Sequence, residues 1–137
     1  MGSKVELYVH LVWATQTRRP MVSAEIEGEL YRVIGTRCIA LRCFPCAIGG
    51  TADHVHLLSR LHPSVPVARL AAEVKGSSSH AVTHLLAPGS RFRWQNGYGA
   101  FSISRDDLPA VETYVRNQKH HHALQAIEPG LESIDET

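Results

Sequence analysis

The chain contains no uncharged apolar run of about 18 residues, the length a membrane-spanning helix needs, so no membrane segment is expected. Met1-Gly2-Ser3-Lys4 is not followed by an apolar signal core, which argues against secretion and makes the cytoplasm the expected compartment. Cysteine is scarce and odd in number. Cys38, Cys43 and Cys46 give no basis for a disulfide framework, and reduced thiols are expected. Internal repeats, low-complexity segments and a Walker phosphate loop are all missing. At 137 residues the chain can bury one core and carry one site, with no room for a second enzyme domain.

What is present is unevenly charged. Fourteen Lys and Arg against 13 Asp and Glu leave a net charge of only +1. All the basic residues precede position 125, whereas Glu128, Glu132, Asp135 and Glu136 follow it, so residues 1–124 set fourteen basic against nine acidic residues, a charge of +5. Nine histidines can add positive charge beside a phosphate backbone. A nucleic-acid partner is therefore permitted. Residues 1–124 read as one domain, and the acidic stretch 125–137, with Glu128-Pro129-Gly130, reads as a frayed, flexible tail.

Val5 to Thr15, rich in β-branched and aromatic residues, predicts a strand closed by Arg18-Arg19-Pro20. Ser23 is placed to cap a helix in which Ile26, Leu30, Val33 and Ile34 recur at helical spacing. Leu41 to Ile48, ended by Gly49-Gly50, and Asp53 to Leu61 predict a hairpin. A helix from Val65 to Leu86 is expected to weaken at Gly76-Ser77-Ser78-Ser79. Gly97 to Ser104 reads as a last strand, and Asp106-Asp107 as the cap of a helix from Leu108 to Ala123. The order predicts an α+β fold, a ferredoxin-like or RRM-like βαββαβ antiparallel sheet with an additional C-terminal helix. That helix must cover the open sheet face or lie on another subunit.

Several residues could carry chemistry. In a strand, His54 and His56 project from one face while Val55 points to the other, which suits two ligands of one metal ion. The same pattern also arises from two unrelated histidines. Asp53 either orients a ligand or ends the turn. Cys43-x-x-Cys46 with the histidines is an alternative zinc set, although His-x-His lacks the usual spacing of zinc modules. On the last helix Tyr114 and Gln118 are four residues apart and share a face. A helical tyrosine ordinarily fills a gap, but a nearby cation would make its phenol a better nucleophile. His120-His121-His122 reads as a solvated or phosphate-facing helix end. Arg91-Phe92-Arg93-Trp94-Gln95 alternates cations and aromatics as single-strand binding requires, or packs its rings into the protein. Lys75-Gly76-Ser77-Ser78-Ser79 offers small residues that a DNA backbone could approach, a weak signal.

Together these residues resemble a family. Tyr8-Val9-His10-Leu11-Val12-Trp13, Asp53-His54-Val55-His56-Leu57-Leu58, Lys75-Gly76-Ser77-Ser78-Ser79, the segment from Phe92 to Ser102 and Tyr114-Val115-Arg116-Asn117-Gln118 occur in register. The chain is similar, from about Tyr8 to Ala123, to the single-tyrosine HUH transposases of small bacterial insertion sequences (insertion sequence 200/605 type) and to their relatives associated with repeated palindromes.

The resemblance implies a metal site of His54, His56 and Gln118 for Mg²⁺ or Mn²⁺, with Tyr114 as nucleophile. It implies cleavage and rejoining of single-stranded DNA, at hairpin-forming element ends, through a 5′-phosphotyrosine. A homodimer exchanging the tyrosine helix is also implied. Arg18, Arg19, Lys75, Ser77, Arg91, Arg93, Trp94, Arg116 and Lys119 are the expected DNA contacts. The chain departs from the family after Ala123, where an acidic tail replaces a further helix. A plasmid relaxase or replication initiator is disfavoured by the short chain and single suitably placed tyrosine. A domesticated palindrome-processing nuclease and a noncatalytic RRM-like binding module are the remaining alternatives.

Overall fold

The β-branched run at the N-terminus forms β1 (Tyr8–Ala14), the second strand from one edge of the sheet. The computed structural model describes residues 2–119. β2 (Phe44–Gly50), β3 (His54–Arg60) and β4 (Gly99–Ile103) complete a four-stranded antiparallel sheet of order β2-β3-β1-β4. In the β1/β3 register Val12 faces His56 and His10 faces Leu58. Because side chains alternate, Val9, Leu11, Trp13, Val55 and Leu57 enter one core, while His10, Val12, His54, His56 and Leu58 share the opposite face.

Two helices cover the first face. α1 (Ala24–Ala40) contributes Ile26, Leu30, Ile34 and Cys38, and α2 (Val67–Ala81) contributes Leu70, Ala71 and Val74. Ser23 is the N-cap of α1 as expected, although its side chain makes no capping hydrogen bond. The expected strand start at Leu41 is too early. Leu41 instead ends α1, with Arg42 left-handed at φ 64°, and Arg42 N and Cys43 N donate to Ile39 O and Cys38 O. This is a Schellman closure with arginine where glycine is the usual choice. The weakening expected at Gly76–Ser79 is also absent: α2 runs through it and changes to a π-helical turn only at Val82–Leu86.

Ser104 Oγ accepts from Asp107 N and starts α3 (Leu108–Arg116) through a turn at Arg105–Asp107. α3 crosses the second face of its own chain's sheet, burying Val111 and Val115 against Ala47 and Leu58. The surplus helix thus covers the open sheet face. It is regular to Arg116, turns at Asn117 and is helical again at Gln118 and Lys119; its expected end at Ala123, His120–His122 and the acidic tail lie outside the described residues. A Cβ on Gly49 would fall 1.9 Å from Val115 O, so only glycine lets α3 settle on β2. Among the described residues no helix is long and apolar enough to cross a membrane.

Candidate active site

β3 is buried on both faces, and its alternation puts His54 and His56 beneath α3 with relative exposures of 1% and 0%. Their rings are 5.0 Å apart between centroids. Each Nδ1 is engaged. His54 Nδ1 lies 2.7 Å from Asp53 Oδ1 and 2.9 Å from Thr51 Oγ1, and Thr51 also donates to Asp53 Oδ1 at 3.1 Å. A carboxylate can only accept, so His54 carries a proton on Nδ1, which makes Nε2 the nitrogen that could ligate a metal. Burial raises the Asp53 pKa, but the His54 hydrogen bond and charge, with Arg18 at 4.0 Å, outweigh it and hold the carboxyl below its ordinary value.

His56 Nδ1 lies 2.8 Å from His10 Nε2, and the two rings stack with centroids 5.0 Å apart. His10, also completely buried, comes from β1. A cation on His56 Nε2 requires the His56 proton at Nδ1, where His10 accepts it. Sequence reasoning gave His10 no role. The available signal was a histidine inside an apolar strand buried on both faces, which must find a polar partner.

Tyr114 is buried on α3 with its ring edge-on to His56, 5.9 Å between centroids. Gln118 is completely buried, and its Nε2 donates to Tyr114 O at 2.9 Å. The i, i+4 relation thus survives even though α3 ends at Arg116. With the amide nitrogen so used, Gln118 Oε1 has no hydrogen-bond partner among the described residues. A buried carbonyl oxygen left this way costs about 1–3 kcal/mol unless a cation or proton donor faces it. Two imidazoles on one sheet face and the Gln118 amide oxygen are a donor set of nitrogen and oxygen atoms that fits a divalent metal ion. The zinc set does not form. Cys43 belongs to the core on the other side of the sheet, and among the described residues no three His, Cys, Asp or Glu side chains gather as a metal site.

The expected DNA contacts divide. Trp94 is 7% exposed, stands edge-on to Trp13 and Phe92, and donates from Nε1 to Ser78 Oγ at 3.0 Å, so its ring is core and offers no stacking platform. Lys75 Nζ is half-buried and donates to Gln95 O and Gly97 O, both at 2.9 Å, with burial lowering its pKa. It is a structural clamp. Ser77, inside α2, donates to Val74 O, so this segment forms no loop for a backbone to approach. Arg116 reaches Cys46 O and Glu112, and Lys119 reaches Glu27 and Gly50 O, tying the end of α3 to the sheet and α1. Arg18, Arg19, Arg91 and Arg93 are exposed at the end of β1 and in the segment before β4.

The model of the IS200-like transposase family matches residues 3–118. A solved structure described as a putative transposase from Deinococcus radiodurans R1 is 24% identical, covers 86% of this chain and 95% of its own, and superposes with a TM-score of 0.67. A REP-associated tyrosine transposase bound to a REP hairpin is 14% identical, with 92% of this chain and 72% of that one covered and a TM-score of 0.65. At these identities the two structures speak for the fold. No curated protein sequence matches. The family match spans both strand histidines, the tyrosine helix and Gln118, and on that match the chain belongs to the IS200-like transposases, enzymes of DNA transposition.

Proposed function

We propose that this transposase cuts and rejoins single-stranded DNA with Tyr114 as nucleophile and Mg²⁺ or Mn²⁺ held by His54, His56 and Gln118. The observation that carries the reading is the buried Gln118 Oε1 without a hydrogen-bond partner among the described residues, on the helix whose Tyr114 touches His56. When bound, the metal supplies Lewis-acid polarisation of the phosphate and offsets charge gathering on its oxygens.

The chain's own residues do the rest. Asp53 and Thr51 fix the His54 ring, and His10 fixes His56. α3 holds the Tyr114 ring against His56, away from bulk water. The Tyr114 hydroxyl loses its proton as its oxygen bonds to the scissile phosphorus. The bond from phosphorus to the 3′ oxygen breaks, and that oxygen takes a proton, leaving a 5′-phosphotyrosine and a free 3′-OH. Attack by a second 3′-OH reverses the step at a new junction, so no nucleotide hydrolysis is required.

The substrate we propose is the hairpin-forming end of an element, by analogy with the relative solved on a REP hairpin. A noncatalytic RRM-like module would present aromatic rings on an open sheet face. Here that face carries histidines and is covered by α3.

The test is a labelled single-stranded hairpin oligonucleotide with Mg²⁺ or Mn²⁺. Tyr114→Phe should bind it nearly unchanged yet form no covalent adduct, and His54→Ala or His56→Ala should each abolish metal-dependent cleavage. An adduct with the Phe variant overturns the assignment. In this chain α3 lies on its own sheet; the reading extends to a two-fold dimer in which the same contacts are exchanged and α3 docks on the partner's sheet, since an isologous interface offers each chain the same surface. Mixing Tyr114→Phe with a His54→Ala, His56→Ala chain should then restore cleavage, and verified heterodimers that stay inactive would show the tyrosine acting within its own chain.

A further inference from the structure

The turn after β1 and the segment before β4 line an open cavity of about 470 Å³, which Arg18 and Asp53 connect to His54. It is lined by Gln16, Thr17, Arg18, Arg93, Trp94, Gln95 and Asn96. Residues 16–19 and 91–96, which supply it, hold four arginines and no carboxylate.

The walls are rigid. Gln16 N donates to Arg93 O and Gln95 N to Ala14 O, both within 2.9 Å, and Thr15 bridges Trp94. Lys75 grips Gln95 O and Gly97 O from behind, while Ser78 anchors the Trp94 indole. Lys75 and the Trp94 indole, suggested by the sequence as direct DNA contacts, thus brace a surface that Arg18 and Arg93 help to present. On the opposite wall Thr17 and Arg18 are both left-handed, with φ 53° and 57°. That conformation is rare for a β-branched residue, and its persistence means the surroundings enforce it. The turn carries Arg18 to within 4.0 Å of Asp53, the residue that holds His54.

We infer that this cavity is a nucleotide-reading subsite, taking one unpaired nucleotide of a DNA strand that runs on to the histidine face. The inference rests on the single-strand transposase reading above. Three of the seven lining residues carry side-chain amides, which bring donors and acceptors together as a base edge needs and a bare phosphate does not. The two guanidinium groups suit the phosphates flanking that base. A base within a duplex is stacked and already paired, so it cannot enter. Gln16 and Asn96 are the specificity-determining residues, with Arg18 and Arg93 holding the backbone.

The full chain is tested by selection from a random single-stranded DNA pool, followed by titration of the enriched oligonucleotide and its single-base changes. Wild type should enrich one base at one position. Gln16→Ala and Asn96→Ala should flatten that preference, losing on the order of tenfold discrimination there. Arg18→Ala and Arg93→Ala should weaken all sequences alike and reduce the salt slope by about 0.7 per phosphate lost. Arg69→Ala, exposed on α2 and outside the lining, is the control and should change neither. A preference that survives both amide substitutions in folded protein overturns the subsite and leaves the transposase reading standing. A wild type that binds no single-stranded DNA overturns both.

Discussion

His10 Nε2 and His56 Nδ1 meet at 2.8 Å between neighbouring strands, in a sheet face from which water is excluded. His10 is therefore the residue that can decide which His56 nitrogen keeps a lone pair. If His56 ligates as proposed, His10→Ala should lower Mn²⁺ affinity about 10–100-fold, read by calorimetry on protein without DNA. His10→Gln, whose amide oxygen can accept the same proton, should recover much of it. In ¹⁵N spectra of the metal-free protein, His56 should change tautomer populations in the Ala variant. Equal affinity in all three proteins would remove His10 from the site.

Gly49→Ala places a methyl group 1.9 Å from Val115 O, too close for any side-chain rearrangement to relieve. α3 must lift or β2 must bend. Overpacking of this kind costs about 1–3 kcal/mol, and here it falls directly beneath the tyrosine helix. Thermal unfolding should drop by several degrees and adduct formation should fall far more than DNA binding. A variant with wild-type melting and cleavage would contradict the close approach.

Arg42→Gly should stabilise the protein. Arg42 holds φ 64° at the helix-closing position, where L side chains meet their own backbone and glycine does not. The gain, after glycine's greater unfolded-state entropy, should be on the order of 0.5–1 kcal/mol by urea denaturation. An unchanged or lowered midpoint would mean that Arg42 makes compensating contacts.

Lys75→Met should cost about 2 kcal/mol, because it removes a charged donor from two backbone carbonyls and leaves both without that partner. The loss should appear both in stability and as faster amide exchange across residues 95–97. A phosphate-binding Lys75 predicts the opposite pattern, weaker DNA binding with stability intact.

Much of the fold was legible because strand alternation is a local signal. His54-Val55-His56 had to split between two faces in any strand, and the hairpin and both long helices followed from apolar spacing. Direction was not legible. Arg91-Phe92-Arg93-Trp94 has the composition of a nucleic-acid surface, yet the rings turn inward to Trp13 and Ser78, partners far away in sequence. Lys75 likewise looks like a phosphate ligand until it is seen donating to Gln95 O and Gly97 O. His10 was hidden because its meaning lies in register: it sits diagonal to His56 across β1 and β3, a relation that exists only once the strands pair. Gly49 looked like the end of a strand, whereas it is the point where a helix lands on one.

The core beneath α3 is small. Among the described residues, Ala47, Leu58, Val111 and Val115 form its buried apolar contact, with Cys46, Ile103 and Leu108 at the margin, against nineteen buried residues in the core under α1 and α2. Among the described residues, less apolar area holds α3 than holds β1 and β3, which are packed on both faces. Sub-global opening of α3 costs less than global unfolding, so its amide protons exchange ahead of those in the central strands. The element bearing Tyr114 therefore rests on a small apolar patch and on the tethers of Arg116 and Lys119, whereas His54 and His56 belong to a strand packed on both faces.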